Sequence, residues 1–115
     1  MSWKPSVAKK LLDKSVHLEN TRGVKKIEGY KFKSQRELVL ATENLSKVVV
    51  YTAIAPFHMP GVNVEQEYLP TKVKSGRHAD IEAVARTLGY SFKAYRLHIE
   101  SAKSMETLVE WLKHA

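Results

Sequence analysis

The sequence predicts an α+β domain: a small mixed sheet of three to five strands with helices packed on it, in the order α-β-α-β-(long loop)-α-β-α. Three observations carry this expectation. Apolar residues recur at helical spacing after Pro5, Ser34, His78 and Ser101. Segments 24–33, 47–55 and 95–100 are β-branched or alternate apolar with polar residues. Between the second and third of these, residues 56–77 hold Pro56, Pro60, Gly61, Pro70 and Gly76 with little periodicity.

The elements follow in order. Lys4-Pro5-Ser6 is a helix start, because proline suits a first turn whose N–H groups have no partner. Val7, Leu11, Leu12 and Val16 then share a face, and Glu19-Asn20-Thr21-Arg22-Gly23 is expected to end the helix. In 24–33, Tyr30 and Phe32 point to one side, Lys31 and Lys33 to the other, and Gly29 marks a bulge or turn. Ser34-Gln35-Arg36-Glu37 has the spacing of a capping box, which predicts a helix to about Leu45 with Leu38, Ala41 and Leu45 inward. Lys47 to Ala55 is apolar on both faces, as in a central strand. Within the long loop, Val62, Val64 and Tyr68 suit a short edge strand. Ile81, Val84, Ala85 and Leu88 predict a helix over 78–88, stopped by Gly89. Tyr95, Leu97 and Ile99 alternate with Arg96, His98 and Glu100 as in a half-buried strand. Ser101 or Ser104 then caps a last helix with Met105, Leu108, Val109 and Leu112 on its inner face.

A chain of 115 residues reads as a single domain, 1–115. With no cysteine, disulfides, Cys-containing zinc sites and thiol chemistry are excluded. No apolar run approaches the ~18 residues of a membrane span, and residues 1–20 lack a signal-peptide core, so a cytoplasmic protein is expected. The histidines have no zinc-site spacing, and no paired carboxylates or Gly-flanked serine suggest catalysis. Neither a metal, a cofactor nor an enzymatic activity is expected.

The net charge of +7 favours a polyanionic partner, and it is unevenly placed. Residues 1–47 hold 11 basic and 5 acidic side chains, against 8 and 7 in the rest. Lys25, Lys31 and Lys33 would share a strand face, with Arg36 in the turn after it, a stripe suited to phosphate contacts. A second candidate is the segment Lys72-Val73-Lys74-Ser75-Gly76-Arg77-His78 ahead of a predicted helix. There Lys72, Lys74, Ser75, Arg77 and His78 surround a glycine where free backbone N–H groups suit an anion. Arg77 is the strongest candidate for a specific contact, because its planar fork binds a phosphate or a guanine edge with two hydrogen bonds. Tyr68 could stack on a base or fill the core beneath the loop.

Two segments carry partial resemblances. Ile81 to Ser91, with Ala85 and Gly89 at the small and turn positions, resembles the first half of a helix-turn-helix, although the residues after it alternate like a strand. Ile27 to Glu37 resembles the entry strand and helix of some phage-type restriction-like nucleases, which implies a metal-assisting role for Glu37. The Asp and Glu-x-Lys that follow in such enzymes are not present here. The expected function is therefore a basic module that binds nucleic acid, DNA rather than RNA, through backbone phosphates. The alternatives are an adaptor or homodimer that docks an acidic partner, and a degenerate restriction-like nuclease.

Overall fold

The computed structural model describes residues 3–24, 26–42, 47–56, 58–70, 81, 85–88 and 92–115. Its strands are β1 (Leu18–Val24), β2 (Ile27–Phe32), β3 (Glu37–Ala41), β4 (Val48–Thr52), β5 (Val62–Tyr68) and β6 (Ala94–Ile99). They form one six-stranded sheet in the spatial order β1-β2-β3-β4-β6-β5. Every neighbouring pair is antiparallel, so the mixed sheet of three to five strands is replaced by a larger antiparallel one. Helices α1 (Pro5–Lys14) and α2 (Ala102–His114) and a 3₁₀ turn at Arg86–Leu88 complete the described elements.

Helix α1 starts with Pro5 in its first turn and buries Pro5, Ala8 and Leu12 on one face. It stops at Ser15, earlier than the apolar spacing through Val16 predicts, and Val16 is left 80% exposed. The next residues, expected to end the helix, instead form β1 and pair with β2 from Leu18↔Phe32 to Val24↔Ile27. Their isolated side chains give little strand signal; the cross-strand partner decides the conformation.

The capping-box helix is the clearest correction. Phe32 N–H donates to the Arg36 carbonyl at 2.8 Å, and Gln35 N–H to the Phe32 carbonyl at 2.9 Å, so 32–36 closes a hairpin turn. Gln35 sits at φ 77°, in the left-handed region such a turn requires. Beyond it, Glu37–Ala41 is β3, buried at all five positions. Apolar side chains on both faces suit a central strand better than a helix with one inner face.

β4 is likewise buried throughout and lies where a central strand is expected. β5 forms inside the predicted long loop and is an edge strand, as Val62, Val64 and Tyr68 suggest. Ser101 caps α2, its side chain accepting a hydrogen bond from Ser104 N–H at 3.1 Å. Of the helix expected over 78–88, the described part is Ile81, whose carbonyl accepts from Ala85 N–H at 2.8 Å, and the 3₁₀ turn. β6 is a strand at the position where a helix-turn-helix needs its recognition helix, so that resemblance does not extend to the fold.

The strand period of two divides the core between two faces. On one, Tyr30, Phe32, Leu38, Leu40, Val50, Leu97 and Ile99 pack under Ala8 and Leu12 of α1 and Met105, Leu108 and Leu112 of α2. On the other, Ile27, Val39, Val49, Tyr51 and Ala94 pack under Ile81, Ala85 and Leu88. Both edge strands carry a register shift, between Asn20 and Arg22 in β1 and between Val64 and Gln66 in β5. Bulges of this kind disfavour pairing of one exposed edge with another. Among the described residues no helix is long and apolar enough to cross a membrane.

Candidate nucleic-acid interface

The abrupt end of α1 creates a concave surface. After Ser15 the chain turns sharply: the Ser15 hydroxyl accepts from His17 backbone N–H at 3.3 Å, and its carbonyl from Leu18 N–H at 3.5 Å. This turn places Val16 and His17 between the C-terminal ends of α1 and α2 and the β2–β3 turn. Three adjoining lobes, of about 470, 350 and 310 Å³, all have Val16 and His17 in their walls.

The lobes differ in charge. The largest runs between α1 and α2 and sets Lys14 against Glu106 and Glu110. The smallest lies along β1 and β2 and sets Lys31 and Lys33 against Glu19. The central lobe of about 350 Å³ is bounded by Val16, His17, Phe32, Lys33, Ser34 and Lys113, with no carboxylate in its lining among the described residues. Two ammonium groups, an imidazole and a hydroxyl around an apolar floor are complementary to a phosphate and the sugar attached to it.

Lys14, Lys31 and Lys33 have no ion pair among the described residues. Lys113 stands 3.8 Å from Glu110, a carboxylate that also faces His114 at 3.2 Å and His17 at 3.7 Å. Lys14 and Lys113 lie in the last turns of their helices, where they also offset the negative ends of the helix dipoles. Lys31 and Lys33 lie away from the helix ends and carry no such duty.

Basic side chains at the far end of the sheet are used internally. Glu65 pairs with Lys47 and accepts from Arg96 Nε at 3.0 Å. Burial alone would raise the Glu65 pKa, but these two cations outweigh it and hold it below the ordinary value. Lys93 pairs with Glu67 at 2.8 Å. No family model, curated protein or solved structure matches the chain. The case for a function therefore rests on these residues.

Of the positions expected to hold phosphate, Lys31 and Lys33 are brought to the groove, one on β2 and one in the β2–β3 turn. Arg36 is turned away from the role it was given. It precedes a strand instead of sitting in a helix, its Nη2 donates to the Ala115 carbonyl at 3.1 Å, and its Nε is buried. Tyr68 is 4% exposed and packs against Tyr51 with ring centroids 6.4 Å apart, so it fills the second core and offers no face to a base. Lys25, Lys72, Lys74, Ser75, Arg77 and His78 lie outside the described residues. Glu37, which the nuclease resemblance would assign to a metal, is 8% exposed and accepts two hydrogen bonds from Thr87. No group of three side chains suited to a metal occurs among the described residues.

Lys14, His17 and Lys113 are the groove residues that sequence reasoning missed. Nothing in their spacing connects positions 14, 17, 33 and 113; packing of both helices on one sheet face does. The available signal was weaker: a lysine in the last turn of each apolar-faced helix.

Proposed function

We propose that the chain binds nucleic acid, DNA in particular, through backbone phosphates seated in the groove around Val16 and His17, in a cytoplasmic setting. The central lobe carries this reading, because Lys33, Lys113, His17 and Ser34 converge there with no acidic side chain in the lining. Phosphate neutralisation by lysines releases condensed counterions and requires no base-specific contact. Among the described residues of the groove, Val16 is aliphatic and exposed and Phe32 is buried, which leaves only the partly covered His17 ring as a flat surface for a single strand. Duplex backbone is the better fit. The nuclease alternative gains no support from Glu37, whose carboxylate accepts two hydrogen bonds from Thr87.

The test is a titration of labelled duplex DNA, single-stranded DNA and RNA at three salt concentrations. The expected result is duplex binding of similar strength across sequences, with affinity falling steeply as salt rises. Lys33→Ala combined with Lys113→Ala weakens it for every sequence. Undetectable binding to all three at low salt overturns the proposal. Docking of an acidic protein on the same lysines would then be the remaining use of the surface, because the bulged edges disfavour assembly by edge pairing.

A further inference from the structure

Of the groove residues, His17 alone combines a central position with an imidazole, a side chain able to act as a neutral donor or as a cation. It lines all three lobes, and its side chain is 31% exposed, set into the wall yet reachable from solvent. Its Nε2 lies 3.7 Å from Glu110 Oε2. We infer that His17 is a phosphate-contacting residue of this groove whose grip depends on protonation, with Glu110, in the wall of the adjoining lobe, holding the imidazolium until a phosphate replaces it. The inference rests on the polyanion-binding reading and specifies how that site is regulated.

A neutral imidazole has one N–H donor, whereas an imidazolium has two donors and a positive charge. The charged groups around His17 come from every element that bounds the groove. They are Lys14 on α1, Glu19 on β1, Lys31 on β2, Lys33 in the β2–β3 turn, and Glu106, Glu110 and Lys113 on α2. Within the central lobe the cations are Lys33 and Lys113, so a protonated His17 adds a third positive charge to a lining that holds no carboxylate among the described residues. Glu110 is the nearest counter-charge to the ring, and it is shared. Its Oε1 faces His114 at 3.2 Å and Lys113 at 3.8 Å. The carboxylate therefore keeps a contact to His114 when His17 turns to a phosphate.

His114 provides an internal control. It faces the same carboxylate, but its side chain is 69% exposed, and it lines a different concavity, with Met59 and Trp111, that does not include His17. Protonation there changes the net charge equally while adding no contact in the central lobe.

The experiment uses the full chain and a fluorescent duplex DNA at constant ionic strength, at pH 7.5 and pH 5.5. Wild-type affinity is expected to be about five-fold tighter at the lower pH, the scale of one added exposed ion pair. His17→Gln loses most of that gain, and His114→Gln keeps it. In parallel, NMR titration of the wild-type His17 ring should show its midpoint moving upward when duplex is bound, as reciprocal linkage requires. An unmoved midpoint, or an undiminished pH response in His17→Gln, overturns the inference while duplex binding itself stands. No duplex binding at either pH overturns the binding proposal and this inference with it.

Discussion

The Glu37 carboxylate grips Thr87 at two points: Oε1 accepts the Thr87 backbone N–H at 2.9 Å and its hydroxyl at 2.6 Å. The bond pair ties a central strand to the 3₁₀ turn that carries Leu88 into the second core. Such an arrangement spends a buried acid on structure. Glu37→Gln should destabilise the fold by about 1.5–3 kcal/mol, the range for hydrogen bonds made to a charged group. Urea unfolding measures it, and Thr87→Val in the same background should add little. A large loss of DNA affinity with unchanged stability would contradict the structural role.

Lys31→Ala and Lys33→Ala, separately and together, should leave stability within about 0.5 kcal/mol of wild type, since neither side chain is in the core or in a described ion pair. Each should reduce the slope of log affinity against log salt by about 0.9 if it holds one phosphate. Lys103→Ala, an exposed lysine at the opposite end of α2, is the control and should leave the slope alone.

The Tyr30 hydroxyl donates to Asp13 Oδ1 at 2.7 Å, joining β2 to α1. Burial, and then this bond, raises the Tyr30 pKa well above its ordinary 10.0. For Asp13, burial alone would raise the pKa, but hydrogen bonds from Lys9 and Tyr30 outweigh it and lower it from 3.8. The lowered acid contributes stability above pH 3.8 that is lost as pH falls through its folded-state pKa. The raised phenol contributes stability below pH 10.0 that is lost as pH climbs through its folded-state pKa. Tyr30→Phe should therefore cost about 1 kcal/mol near neutral pH, the modest figure reflecting solvent around Asp13. Denaturation midpoints of the two proteins should converge toward both extremes of pH.

Gly61 occupies φ 77°, and a Cβ built there would collide with the Ser104 hydroxyl, which donates to the Pro60 carbonyl at 3.2 Å. Gly61→Ala should lower stability by about 1–3 kcal/mol, through backbone strain and displacement of that hydroxyl. Thermal unfolding is the measurement. Alanine at Asn63, exposed two residues further on, should shift the midpoint far less.

The legible parts of this fold were those whose local pattern and tertiary role agree. Met105, Leu108, Val109 and Leu112 repeat at helical spacing and are buried in α2, and the 95–100 alternation corresponds to β6. β4 announced itself through β-branched residues on both faces. Where the two disagree, sequence reasoning failed. Ser34 to Glu37 fits a capping box, yet Glu37 finds its donors at Thr87, a residue distant in sequence, and the chain turns at Gln35 instead. β1 has no apolar period of its own and exists because β2 pairs with it. For the groove, Lys31 and Lys33 stood out as local charge excess. Lys14, His17 and Lys113 did not, because proximity between two helix ends is a property of packing.

The order β1-β2-β3-β4-β6-β5 also has a kinetic meaning. The first four strands follow one another as neighbours, so their hairpins close over short loops and cost little chain entropy. The pairing of β4 with β6 joins Val48 to Ile99, and it must wait for a much longer closure. During synthesis a four-stranded meander can thus assemble with α1 packed on β3 and β4. The thirteen-residue helix α2 then covers the late-pairing β5 and β6, so the end of the sheet that closes last is also the end shielded last.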